Sequence, residues 1–485
     1  MREQTVDVAV IGAGTAGLNA RRAAEKAGAH AVAIDPGPLG TTCARVGCMP
    51  SKLLIAAAEA AHAVREAKIF GVHAGEPRVV PGEVMGRVRR ERDRFVGFQL
   101  RDAKALRERG LLIDGRARFV APNVLAVGDD LRVTARRAVV VAVGSAVRLP
   151  PILARLESPW VIDSDRVFEL EAIPERLLVV GAGPIGVELG QALARLGARV
   201  TVLCADGKVA GIRDPAVLAS AKSALAREMT LHTRSNLEAA EERADGLWVR
   251  FRGEDGEVSE GTWPLVLAAT GRAPRLDGLE LGRAGVELDD KGRPREFDKA
   301  TLQCGEAPVF LAGDAAGLRP LLHEAIDDGQ IAGRNAATFP EVLPGERRAP
   351  LSIVFTDPQV AFVGRRFDAL DLSTCSIGQV DFGDQGRARV MAKNHGLLRV
   401  YGSDATGALL GAELVAPAGE HLAHLLAWAI QSGLTVDQVL RLPFYHPVVE
   451  EGLRSALLDL RTQMSAKTGA NRAGADATSR TSSGP

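Results

Sequence analysis

Two stretches of this chain follow one grammar, and that repetition constrains the fold more than any other feature. Residues 6–35 read as an apolar strand, a glycine turn at Gly12, Gly14 and Gly17, an Ala-rich helix that stops before Gly28, and a second strand ending at Asp35. Residues 177–204 repeat the order with Gly181, Gly183 and Gly186, and with Pro184 and Ile185 inside the turn. In such a unit the first glycine permits the tight turn, the second lets backbone approach a pyrophosphate, and the third lets helix pack on strand. The helix N-terminus then offers free N–H groups and a partial positive charge to phosphate. Two βαβ units therefore predict two bound dinucleotides, against the plainer reading of two structural strand-to-helix turns.

An acidic residue about 20 positions after the first glycine would hold the adenosine ribose. Asp35 stands 23 residues after Gly12, but the same offset from Gly181 falls on Cys204, with Asp206 two residues further on. No arginine stands at 204, and a glycine in the third place leans towards NAD. The choice between NAD and NADP stays open at this point.

Further strands end at glycines: Ala138 to Val143 before Gly144, Leu265 to Ala269 before Thr270 and Gly271, and Val309 to Ala312 before Gly313 and Asp314. From about Leu351 the pattern turns to alternating strands, with helices expected at Glu420–Gln431 and Glu450–Leu460, as in a separate α+β domain. The last stretch holds no Leu, Ile, Val or aromatic residue and is expected to be a disordered tail. Lys plus Arg and Asp plus Glu both number 60 among 485 residues, which gives no electrostatic reason to expect nucleic acid or an anionic membrane as partner. No apolar run is long enough to span a bilayer, and a cytoplasmic location is the expectation.

Five cysteines are too few for a disulfide scaffold. Two of them, Cys43 and Cys48, stand five apart in GTTCARVGCMPSK, just before a helix that Pro50 can open. A helix N-terminus favours a thiolate at Cys48. A disulfide needs Cα atoms about 4.4–6.8 Å apart, closer than an ideal helix gives at that spacing, and Gly47 is the residue that lets the loop bend. Two buried small residues beside a turn remain the alternative. Cys304 and Cys375 have no partner pattern and read as packing residues. His421 and His424 lack a third ligand at convincing spacing, so no metal is expected.

With GAGTAG, GTTCARVGCMPSK, GAGPIGVELG, ATGRAP, VFLAGDA, LLHEAIDDG, VFTDP and FYHPVVEEG in hand, the chain resembles the class I pyridine nucleotide–disulfide oxidoreductases over about residues 5–462. Within them it is most similar to the dihydrolipoyl dehydrogenases. The resemblance implies an α/β fold of two Rossmann-like dinucleotide-binding domains plus a C-terminal α+β dimerisation domain. The expected divisions are an FAD-binding domain with the redox disulfide at 1–150, an NAD(P)-binding domain at 151–272, a return to the FAD domain at 273–345, a dimer interface domain at 346–465 and a tail at 466–485.

By the same resemblance Cys43 is the outer thiol that exchanges with substrate and Cys48 the inner one that contacts flavin. His446 is the acid–base acting across a homodimer, oriented by Glu451. Lys52 lies by the flavin and pairs with Glu188. FAD is implied at Gly12, Gly14, Gly17, Asp35, Thr42, Lys52, Ala117, Gly144, Asp314 and Leu322. The nicotinamide coenzyme is implied at Gly181, Gly183, Pro184, Ile185, Gly186, Glu188 and Gly271. The implied reaction oxidises a dihydrolipoyl dithiol, free or on a lipoylated carrier protein within a larger dehydrogenase complex, and reduces NAD⁺.

Thiol exchange needs a thiolate attacker and a proton acceptor, and imidazole titrates near neutrality, so the chemistry supports these roles independently. Four positions depart from the family pattern: Thr41 replaces a glycine, Val448 a threonine, Arg275 an asparagine, and Cys204 the ribose acid. A glutathione-type, NADPH-dependent reductase is disfavoured by Ser51, where that enzyme has lysine, and by the lack of a basic pair after the second unit. Mercuric and large thioredoxin reductases are expected to carry a further C-terminal redox pair, whereas the last cysteine here is Cys375. Soluble transhydrogenase lacks the full disulfide. A flavoprotein subunit with a mainly binding role is the alternative from another class.

Overall fold

The computed structural model describes residues 2–481, with side chains described through Lys467. Its first sheet has seven strands, in the order Leu112–Asp114, Ala31–Asp35, Arg2–Ile11, Leu131–Val141, Val124–Val127 and Ala117–Ala121, with Val309–Leu311 added beside Leu131–Val141. The central strands are parallel, and where they lie side by side (residues 8–11, 31–34, 138–141 and 309–311) they are continuously apolar, as strands covered on both faces must be. Val10 and Phe310 thus flank Val140 in register, so the late segment closes a sheet begun 300 residues earlier in the chain.

Two helices lie against each other on this sheet, Thr15–Lys26 and Leu322–Thr338. They touch backbone to backbone, because a Cβ at Gly329 would stand 2.4 Å from the Ala16 carbonyl oxygen and one at Gly333 2.1 Å from that of Ala20. This close approach brings the Asp314 turn to the Gly12–Gly17 turn.

The second sheet is parallel throughout, in the order Thr230–Thr233, Arg199–Cys204, Arg176–Val180, Val266–Ala268 and Val161–Asp163. An antiparallel three-stranded sheet, Asn236–Arg243 with Gly246–Arg252 and Val258–Trp263, accompanies it. The last sheet is antiparallel, in the order Leu351–Val354, Gln359–Gly364, Leu409–Ala416, Leu397–Ser403 and Cys375–Asp381. Helices Gly419–Gln431 and Glu451–Thr481 pack on it, so this part is α+β as expected.

A buried polar knot joins the last sheet to the second unit. Asp214 is fully buried, and its carboxylate accepts from Arg399 at 2.7 and 2.8 Å and from the Tyr401 hydroxyl at 2.9 Å while capping the helix Pro215–Leu225. Glu413, equally buried, accepts the N–H groups of Arg213 and Asp214.

The closing helix runs on to Thr481, through most of the 466–485 stretch read as a disordered tail. Without apolar residues that stretch cannot nucleate a helix alone, but extending one already packed at Leu453, Leu457 and Leu460 fixes only one residue per hydrogen bond, and alanines recur along it. Residues 482–485 of that expectation lie outside the described residues. Among the described residues, no helix is long and apolar enough to cross a membrane.

Candidate active site

Cys43 lies in a short helix of its own, Thr42–Val46, and Cys48 is the first residue of the helix Cys48–Glu66 rather than the residue before it. Gly47 separates the two helices. Its task is close approach, since a Cβ there would stand 3.0 Å from the Thr42 carbonyl oxygen and 3.2 Å from the Cys43 Cα. Cys43 and Cys48 are not joined by a disulfide, and their side chains hydrogen-bond to each other. The bond from Cys43 and the Lys52 ammonium bring Cys48 down to about 6, while the same bond and burial push Cys43 far up. The two thiols are therefore unequal: Cys48 is the more acidic, and Cys43 is the donor in their hydrogen bond.

Lys52 stands one turn after Cys48 on the same helix, and its Nζ donates to Glu188 Oε2 at 2.8 Å. Glu188 is buried on the helix Pro184–Arg195, whose N-terminus is the second glycine turn. Its other oxygen accepts the Phe355 N–H at 2.8 Å. One carboxylate thus joins the thiol helix, the second βαβ unit and the C-terminal sheet.

The two glycine turns are nearly superimposable in their constraints. Gly12 has φ +108° and its Cβ would stand 2.3 Å from the Ala142 carbonyl oxygen; Gly181 has φ +112° and 2.4 Å to that of Ala269. Gly17 and Gly186 abut the Gly12 and Gly181 carbonyls at 1.9 and 2.0 Å. At Gly14 and Gly183, by contrast, a Cβ would meet nothing within 4 Å, and neither helix N-terminus carries a side-chain cap. Each turn is tight where packing requires it and open where a phosphate would sit, so the residues present fit two dinucleotides.

Asp35 closes the first turn, accepting from Ala13 N–H at 2.6 Å and Gly37 N–H at 2.7 Å. Ala117 begins the strand that follows Asp114, the residue paired with Asp35. Gly144, at φ +72°, follows the strand whose end meets Gly12, and Asp314 accepts from the Ser145 hydroxyl at 2.6 Å. Leu322 is exposed at the start of its helix, Thr42 is exposed beside Cys43, and Ile185 is exposed at the mouth of the second turn. Gly271, at φ +99°, accepts the Arg148 N–H. Cys204 is buried, with Sγ 3.1 Å from the Lys208 carbonyl, and the nearby exposed carboxylate is Asp206.

Sequence reasoning missed Arg272. It donates to the Ser145 hydroxyl and carbonyl, both at 3.0 Å, and pairs with Asp165 at 2.8 Å, so it supports the Asp314 contact from the strand that links the two nucleotide units. Its only signal was its place in ATGRAP.

His446 and Glu451 form a second centre. His446 Nδ1 lies 3.0 Å from Glu451 Oε1, and Glu451 Oε2 accepts the Val448 N–H at 3.2 Å. The bond to His446 holds the Glu451 carboxyl below its usual range. The imidazole is 81% exposed, which leaves Nε2 for an incoming proton. No hydrogen bond or ion pair joins this dyad to Cys43 within the chain, among the described residues. His421 and His424 are exposed on the helix Gly419–Gln431, and Cys304 and Cys375 are buried.

Residues 6–329 match the family profile "Pyridine nucleotide-disulphide oxidoreductase", and residues 351–457 match that family's dimerisation domain. A dihydrolipoyl dehydrogenase of Haloferax volcanii is 31% identical, covering 93% of this chain and 95% of that protein. A mercuric reductase of Streptomyces lividans is 32% identical over 91% and 93% respectively. The fold matches, at a TM-score of 0.77 and 22% identity, the Cu(II) complex of the HOCl-induced flavoprotein disulfide reductase RclA from Escherichia coli, with 94% of this chain and 99% of that one covered.

Proposed function

The chain belongs to the pyridine nucleotide-disulphide oxidoreductase family, whose members use FAD and NAD(H), and from that premise we propose that it is a dihydrolipoyl dehydrogenase acting as a homodimer. In the oxidised protein Cys43 and Cys48 are joined. His446 of one subunit takes a proton from the dihydrolipoyl dithiol, and the resulting thiolate attacks Cys43 Sγ of the other, which breaks the disulfide and releases Cys48 as thiolate. The second substrate thiol then displaces Cys43 from the mixed disulfide, its proton passing to the Cys43 sulfur while His446 releases the first proton to solvent. Cys43 is reprotonated, and the substrate leaves as a disulfide, oxidised by two electrons. FAD, when bound, passes that electron pair from the thiols to NAD⁺.

The observation that carries this reading is the His446–Glu451 bond. A dithiol must lose protons to react, and an imidazole oriented by a carboxylate is the group that accepts them. The split protonation of Cys43 and Cys48 supports it, since it is the end state of the exchange.

The name of one relative, a mercuric reductase, favours a second reading, reduction of a soft metal ion as substrate, for which two adjacent thiols are suitable ligands. A metal ion brings no proton to remove, so that reading leaves the dyad without a task. Steady-state rates of the holoenzyme on dihydrolipoamide and lipoylated carriers, with NAD⁺ and NADP⁺, test the proposal. NAD⁺-linked dithiol oxidation that Cys48→Ser abolishes is expected. Turnover of glutathione disulfide with NADPH, of Hg(II) alone, or of no substrate beside tight binding to a larger complex would overturn it.

A further inference from the structure

We propose that Phe355 is a positioning residue for the Cys48 thiolate: its backbone N–H and its ring hold the Glu188 carboxylate and the Lys52 ammonium in fixed relation beside the thiol pair. The proposal deepens the reading of Cys48 as the thiol that ends the exchange ionised, and it rests on that reading.

Three segments far apart in the chain meet at this point. Lys52 Nζ is 2.8 Å from Glu188 Oε2, the Phe355 N–H donates to Glu188 Oε1 at 2.8 Å, and the Lys52 ammonium stands 4.4 Å from the centre of the Phe355 ring. A lysine is a point charge on a flexible four-carbon stem, and one carboxylate leaves it several rotamers. An aromatic face on the other side of the ammonium removes most of them and attracts the cation through the ring quadrupole.

The ring is presented from a rigid support. Asp357 N–H donates to Gln191 Oε1 and Gln191 Nε2 returns a bond to the Asp357 carbonyl, both at 2.8 Å. The Asp357 carboxylate pairs with Arg195 at 3.3 Å and Lys393 at 3.1 Å. Glu188, Gln191 and Arg195 lie at i, i+3 and i+7 of one helix, so a single face grips the segment 354–358. This gives the VFTDP motif a task that its sequence did not reveal.

The groups acting on Cys48 are Cys43 and Lys52, which lower it, and Glu188, which raises it. Lys52 has the longest side chain of this set, and its distance from Cys48 decides how much of its charge is felt. Loss of the ring frees Lys52 and weakens Cys48 as an acid.

The test is a pH titration of the thiolate ultraviolet absorbance in reduced holoenzyme carrying Cys43→Ser, which keeps an O–H donor and isolates Cys48, with Cys43→Ser/Cys48→Ser as the blank. Phe355→Leu should raise the midpoint, making Cys48 an about two- to fivefold weaker acid. Phe355→Tyr should return the parent value. In a Lys52→Met background Phe355→Leu should have no effect. An unmoved midpoint in Phe355→Leu, or an equal shift with and without Lys52, overturns the assignment of Phe355 alone. A parent midpoint at or above the ordinary thiol value of 9.0 overturns the reading of Cys48 and this proposal with it.

Discussion

Lys52 Nζ and Glu188 Oε2 meet at 2.8 Å although 136 residues separate them. The lysine belongs to the thiol helix and the glutamate to the helix of the second glycine turn, so the contact fixes the distance between the cysteine pair and the second βαβ unit. Glu188 is buried with both oxygens engaged, and its charge is balanced where it stands.

Replacing Lys52 by Met should move the acid limb of dithiol oxidation. Cys48 is held at about 6, first by the Cys43 hydrogen bond and then by Lys52, against 9.0 for a free thiol. A depressed thiol is ionised above its folded value and loses its charge as pH falls through it, so activity that needs this thiolate declines below about pH 6 in the parent. Without the ammonium the limb should shift to higher pH by roughly one unit, a tenfold loss of thiolate on its acid side. A pH–rate profile that stays in place would show that Lys52 does not act on Cys48.

His446→Gln should slow dihydrolipoamide oxidation about 10²- to 10⁴-fold. Glu451→Gln should act in the same direction with a smaller loss, because the glutamate works through the imidazole. The Glu451 carboxyl is depressed by its bond to His446, so it stays ionised until pH falls below its usual 4.5 and contributes no limb between pH 6 and 9. Stopped-flow measurement of the two half-reactions separates the roles. Reduction of bound flavin by NADH should persist in both variants, and an equal fall in both half-reactions would remove the dyad from thiol chemistry.

How much of this was legible in the sequence depends on how local the information is. Gly12 and Gly181 announce their turns because strand, glycine spacing and helix are contiguous, and Lys52 stands four residues after Cys48, one helical turn away. The partner of Lys52 was legible only through resemblance, since nothing near Glu188 points to residue 52. Phe355, Gln191 and Asp357 escaped because their relation exists only after three segments have packed. Asp214 and Arg399 escaped for the same reason: each reads as a surface charge until burial pairs them.

Asp214→Ala should destabilise the protein by about 3–5 kcal/mol. The carboxylate is fully buried, caps the helix Pro215–Leu225 and accepts from Arg399 and Tyr401, so its removal strands a guanidinium whose side chain is only 18% exposed. Adding Arg399→Met should restore part of the loss by removing that orphaned charge. Apparent Tm of the single and double variants provides the measurement. A double variant less stable than Asp214→Ala would mean that Arg399 contributes by packing.

Gly333→Ala should lower stability by about 1–3 kcal/mol, since the new methyl would stand 2.1 Å from the Ala20 carbonyl oxygen, which is backbone and cannot yield. The two helices it forces apart flank the first glycine turn and Asp314. Flavin should therefore be released at lower temperature, which fluorescence of the freed cofactor reads directly. Gly82→Ala is the matched control. It lies in a helix with nothing within 4 Å of the added Cβ, so the exchange should be neutral or stabilising by about 0.5–1 kcal/mol.

Thr41 gives a prediction whose sign depends on which residue replaces it. It stands where the family pattern has glycine, and its backbone shows why: φ is +56° and ψ +148°, a region that suits glycine and costs a β-branched residue about 1–3 kcal/mol. Part of that cost is offset locally, because Thr41 Oγ1 accepts the Ala44 N–H at 3.3 Å and donates to Gln99 at 3.1 Å, which caps the short helix carrying Cys43. Thr41→Gly removes the strain, loses a cap worth only a few tenths of a kcal/mol when glycine replaces it, and gives back about 0.5–1 kcal/mol of chain entropy. Thr41→Ala keeps the strain and loses the cap, a deficit of about 1 kcal/mol. The expected order of apparent Tm is Thr41→Gly above the parent and Thr41→Ala below it. If both variants fell below the parent, the hydroxyl contacts would outweigh the backbone strain, and threonine would be the residue this turn requires.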